Sequence, residues 1–199
     1  MADKTLIEFC APTLAGMKTG SLFAESFESR AQLVAELRRL NALLGRKGLR
    51  AVSLRYQNGR ALLYLYRPDQ LRKDLRHQLA EKLLLEEGYP LGADENCIAY
   101  LARRLRERGA DAFPHEVGLF LGYPPEDVEA FIRQQGKNSK LTGFWKVYGD
   151  EEAARRVFSK YEKCIRVYQR LLAEGREMED LIVESRGGVP SYRPLEAAV

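Results

Sequence analysis

Leu49-Arg50-Ala51-Val52-Ser53-Leu54-Arg55-Tyr56-Gln57-Asn58-Gly59-Arg60-Ala61-Leu62-Leu63-Tyr64-Leu65-Tyr66 is the stretch that decides the fold. Two apolar and aromatic runs flank Asn58-Gly59. Both of those residues tolerate positive φ, so the pair favours a type I′ turn and an antiparallel hairpin. At a side-chain period of two, Val52, Leu54 and Tyr56 share one face of the first strand, and Leu62, Tyr64 and Tyr66 share one face of the second.

The segments on either side of this hairpin read mainly as helices. Upstream, about 29–44 places Leu33, Leu37, Leu40 and Leu44 on one stripe with Arg38 and Arg39 outward; Gly45 and Gly48 end it. Before it, Thr5–Phe9 reads as a short strand ending at Cys10-Ala11-Pro12, and Thr13–Ser21 as a glycine-containing loop. Downstream, Pro68 opens a helix expected to run to about Glu87, with Leu71, Leu75, Leu79 and Leu83 inward. Asp94 suits the cap of a helix bearing Cys97, Ile98, Leu101 and Leu105, with Arg103, Arg104, Arg106 and Arg108 outward. Two short helices follow, about 114–121 and 125–135. Thr142–Tyr148 reads as a strand, and Asp150 as the cap of a long helix with Val157, Tyr161, Cys164, Tyr168 and Leu171 along its seam. The order predicts an α+β fold: a small, partly antiparallel sheet covered by helices. The expected organisation is a single domain over 1–175 and a loosely ordered extension over 176–199.

A chain of 199 residues with 45% apolar side chains suffices for one core-forming domain. No apolar run approaches the ~20 residues that cross a bilayer, and Met1–Glu8 lacks the pattern of a signal peptide. The cytoplasm is the expected compartment. Cys10, Cys97 and Cys164 are an odd set at long spacings, which is neither a disulfide framework nor a zinc pattern. A net charge of +4 permits anionic partners but is no nucleic-acid footprint.

Residues with special backbone or acid–base properties are densest in Phe113-Pro114-His115-Glu116-Val117-Gly118-Leu119-Phe120-Leu121-Gly122-Tyr123-Pro124-Pro125. Together with Cys10–Lys18 and Gly143-Phe144-Trp145-Lys146-Val147-Tyr148, this stretch resembles a bacterial family catalogued only as a domain of unknown function (DUF 3793), mostly from anaerobic Firmicutes. The similarity covers roughly residues 5–172. No established activity comes with it. The association of such genes with flavodoxin and iron-uptake genes implies a redox or iron setting. Members often carry cysteines before the Trp-Lys-Val-Tyr motif; Ser139 and Leu141 stand there in this chain, so the resemblance implies no metal site from that loop.

Two readings of function follow. In the first, the Cys10–Ser21 loop, the 113–123 segment and the 143–148 strand converge on a small-molecule or redox-cofactor pocket. Cys10 would be a nucleophile, His115 its base and Glu116 the orienting carboxylate. Thr13, Gly16, Lys18, Tyr123, Trp145, Lys146 and Tyr148 would contact the ligand. The strand aromatics suit a flat group such as a flavin or haem. His115-Glu116 is not a zincin site, since Leu119 stands where the second histidine belongs. Gly16-Met17-Lys18 is not a phosphate loop, since Met17 replaces the required glycine, though backbone amides with Lys18 could still form a weaker anion site. In the second reading the chain is a non-catalytic protein-partner or nucleic-acid binding module using the 114–135 helical hairpin and the arginine face, the protein partner being an acidic one such as flavodoxin. Nucleic acid is not the expected partner, because Glu126, Asp127 and Glu129 would face its phosphates.

Overall fold

The computed structural model describes residues 3–107 and 113–185. It is an α+β fold built on a three-stranded antiparallel sheet of order β1-β3-β2: β1 (Gly20–Ser26), β2 (Arg50–Gln57) and β3 (Arg60–Tyr66). The hairpin forms as its turn residues require, with Asn58 at φ 51° and Gly59 at φ 73°.

The sheet is covered on both faces, which is why β3 reads as a nearly continuous apolar run. One face carries Phe23, Ala51, Ala61, Leu63 and Leu65 into a core shared with α1 (Asp3–Leu14), α2 (Arg30–Gly45) and α8 (Glu151–Ala173). The other carries Leu54, Tyr64 and Tyr66 into a core shared with α3 (Pro68–Leu75), α4 (Gln78–Glu86), α5 (Asp94–Glu107), α6 (Val117–Phe120) and α7 (Pro125–Arg133). The register shifts between Ser53 and Arg55, so Leu54 is an extra residue on the second face. Tyr56 therefore pairs with Ala61 and packs on the first face, away from Val52 and Leu54. That corrects the expectation that Val52, Leu54 and Tyr56 share one face.

The cap expected at Asp150 forms: it accepts from the Ala153 N–H, and Ser29 likewise accepts from the Gln32 N–H, each satisfying a donor that a helix start leaves free. Asp94, expected as a cap, is instead the first residue of α5 and pairs with Arg72. Four further expectations change. Thr5–Phe9 is not a strand but part of α1, whose Leu6, Ile7, Cys10, Ala11 and Leu14 are buried at helical spacing. The strand lies later, in β1, within what reads as a loop. The helix expected over 68–87 breaks at Arg76-His77, where His77 takes an extended ψ of 131°. Thr142–Tyr148 is no single strand: β4 (Leu141–Thr142) turns back onto β5 (Lys146–Val147).

The packed chain also runs beyond 175. Met178, Leu181 and Ile182 are buried in the first core, and the Val183 N–H donates to the Leu14 carbonyl at 3.0 Å. The remainder of the expected tail, 186–199, lies outside the described residues, as does Arg108.

Candidate functional site

The segment after α5 is held from below by buried charge. Glu116 is 2% exposed. It accepts from the Tyr89 hydroxyl at 2.8 Å, and Arg104 Nε lies 3.0 Å from the same oxygen. Arg104 also donates to the Glu87 carbonyl at 2.7 Å and pairs with the Glu87 carboxylate. A buried ion is tolerated only when paired and hydrogen-bonded, and here one arginine ties α4 and α5 to the chain entering α6. This corrects two expectations. Arg104 is not part of an outward arginine face, and Glu116 points into this network instead of orienting His115. Arg103 and Arg106 remain exposed, and Arg103 lies over the Tyr100 ring at 4.5 Å.

Above this network α6 packs closely on α7, because Gly118 has no side chain. A Cβ there would lie 2.8 Å from Val128 Cγ2 and 3.1 Å from the Tyr123 ring. Asp127, on the first turn of α7, then organises the 141–149 segment. One carboxylate oxygen accepts from Trp145 Nε1 at 2.7 Å. The other accepts from the Tyr148 and Gly149 amides at 2.8 and 2.9 Å. Asp127 is buried, not presented to solvent.

Between these parts lies a cleft of about 400 Å³. Its walls carry two aromatic pairs: His115 on Phe131, centroids 4.9 Å apart, and Tyr123 on Trp145, 5.3 Å apart. Phe113 lines it and is 39% exposed. Thr142, Gly143 and Lys146 complete its lining on the hairpin side. Lys146 Nζ donates to the Gly136 carbonyl at 2.7 Å and lies 5.8 Å from the Phe131 ring centre.

The expected site residues divide accordingly. His115, Tyr123, Trp145 and Lys146 line this cleft together. Lys18 stands next to it, half-buried, with Nζ 5.2 Å from the centre of the Tyr123 ring. Burial draws its pKa down to about 8, with Cys10 acting slightly the other way. Tyr148 anchors the hairpin through its backbone, while its buried hydroxyl has no hydrogen-bond partner among the described residues.

Cys10, Thr13 and Gly16 are elsewhere. Thr13 is buried, its hydroxyl 2.9 Å from that of Ser21 and its carbonyl accepting from Arg67. Gly16, at φ 75°, closes the end of α1. The amides of Gly16, Met17 and Lys18 all donate to carbonyls of Pro12 or Thr13, so none is free to wrap an anion. Cys10 belongs to the first core, and no hydrogen bond joins it to His115 among the described residues. Burial pushes its thiol up to about 12, against smaller opposing effects of Lys18 and Ser21.

A buried, protonated thiol is a poor nucleophile. Native Cys10 should therefore react with a thiol reagent at pH 8 at least about a thousandfold slower than after unfolding, its thiolate being that much scarcer. Peptide mapping after timed alkylation reads this directly. Fast native labelling that is lost in His115→Ala would restore the nucleophile reading.

Phe131, Thr142 and Asp127 are cleft residues that sequence reasoning missed. The available signal was spacing: Asp127 and Phe131 stand four apart on a short helix and so share a face.

A model of the family described as a protein of unknown function (DUF3793) matches residues 6–182. The chain belongs to that family. No curated protein and no solved structure matches it. Among the described residues no helix is long and apolar enough to cross a membrane, and no cluster of His, Cys, Asp and Glu is suited to a metal ion.

Proposed function

We propose that the protein binds a small, flat molecule non-covalently in the cleft between α6, α7 and the 141–149 hairpin. The observation that carries this reading is the convergence of His115, Tyr123, Phe131 and Trp145 on one open cavity of about 400 Å³. Binding sites for small molecules are concave, mostly apolar and furnished with a few polar groups, and this cavity has that character. A flavin-like ring system belongs to the class that such walls accept. The cytoplasm is the compartment we assign, in keeping with three free, buried cysteines.

The binding-module reading draws less support. Arg104 and Asp127 are committed to internal pairs, which removes part of each surface it needs.

Blocking the cleft tests the proposal. Thr142 is exposed at its edge, so Thr142→Trp should fill the cavity without disturbing a core. Freshly purified protein is expected to carry a ligand, seen as excess mass under native conditions or as absorption beyond 300 nm, that Thr142→Trp lacks. Retention of that ligand by the variant would remove the cleft from consideration. A bare mass, together with no change in Trp145 emission on adding flavin mononucleotide or other flat aromatics, would remove the proposal itself.

A further inference from the structure

We infer that the cleft's ligand is an anion: a flat ring system bearing a carboxylate or phosphate, received by Lys146. This rests on the cleft being a ligand site. Lys146 belongs to the lining, and its ammonium lies 5.8 Å from the centre of the Phe131 ring, which lines the cleft too. Among the described residues only one of its three N–H groups is committed, to the Gly136 carbonyl. Lys146 forms no ion pair with a carboxylate among the described residues. The one carboxylate in the lining, Asp127, already accepts from Trp145 Nε1 and two backbone amides. The cavity thus has a cationic donor with spare capacity and an acceptor whose oxygens are already engaged. That asymmetry suits an anion and opposes a cation. The exposed imidazole of His115, also in the lining, supplies a further polar contact.

Three matched probes separate this inference from the reading beneath it. They are 2-naphthoate, 2-naphthamide and 2-naphthylmethylamine, which share a ring system and differ in charge. Calorimetric titration of the full chain should show naphthoate binding about tenfold more tightly than naphthamide, with the amine weakest. Lys146→Gln keeps a donor for the Gly136 carbonyl but removes the charge. It should abolish the preference for naphthoate, so that acid and amide bind alike. Equal binding of acid and amide, preference for the amine, or a preference that survives Lys146→Gln would each overturn the inference and leave the cleft as a ligand site. Failure of all three probes to bind, or binding that Thr142→Trp does not affect, would overturn both.

Discussion

Replacing Arg67 by methionine is expected to destabilise the protein by about 3 kcal/mol or more and to release the chain after Leu181. Arg67 is 5% exposed and sits at the end of β3, where its guanidinium faces carbonyls and a hydroxyl. Nε donates to the Thr13 carbonyl at 2.7 Å, one terminal nitrogen to Leu14 and Val183 carbonyls at 2.8 and 2.6 Å, and the other to the Ser185 hydroxyl at 2.8 Å. One side chain thus joins the sheet, the end of α1 and the 183–185 segment. Methionine fills similar volume but leaves the buried Thr13 and Leu14 carbonyls and the half-buried Val183 carbonyl without this donor, and an unsatisfied buried polar group costs about 1–3 kcal/mol. Lysine retains the charge but cannot present the planar fork, so Arg67→Lys should recover less than half of the loss. Urea denaturation gives the stability change. Exchange of the Val183 amide, which is bonded to Leu14, reports release of the segment. A change below about 1 kcal/mol with Val183 still protected would show that the guanidinium is incidental to holding these parts together.

Much of the scaffold was legible because it depends on local chemistry. Asn58-Gly59 needs only its own backbone preferences to make a turn, and Asp150 needs only the next three residues to cap a helix. What was not legible depends on partners far along the chain. Thr5–Phe9 has strand-forming residues, and Pro12 suggests an early stop, yet α1 is stabilised by packing on β1 and α8. Pro12 falls in its last turn, where little helix remains to disrupt. Arg76-His77 breaks a helix without proline or glycine, so no local residue announces the break.

The charged residues were the hardest to place. Arg104 looks like one of a row of surface arginines until Glu116, beyond the end of its helix, and Glu87, before its start, are brought against it. Asp127 looks like one of three acidic residues at a helix start until Trp145 folds back on it. Of the candidate site, the convergence of the 113–123 and 143–148 segments was read from residue types with special properties. The exclusion of Cys10 was not readable, because a cysteine at a strand end and one on a buried helix face are indistinguishable without the true secondary structure.

Asp127→Ala is expected to abolish the proposed ligand binding and to cost about 2–4 kcal/mol of stability, because it removes the acceptor for three donors at once. Its Oδ2 receives Trp145 Nε1, and its Oδ1 receives the amides of Tyr148 and Gly149. Without it, the indole loses its anchor on a cleft wall and the hairpin loses its fastening to α7. Trp145 is the chain's one tryptophan, so its emission should shift to the red and the shift can be assigned without ambiguity. Asp127→Asn separates the two halves of the role. Its amide oxygen can still accept from the two backbone groups, but its NH₂ then faces the indole N–H, donor against donor. It should keep most of the stability and lose the indole's position. Trp145→Phe removes the opposing donor, so the asparagine variant should cost less in a Trp145→Phe background than in the native one, by about 1 kcal/mol or more. Additive effects of the two substitutions would mean that the carboxylate holds the backbone alone, and that the indole is placed by its contacts with Tyr123 and Phe158.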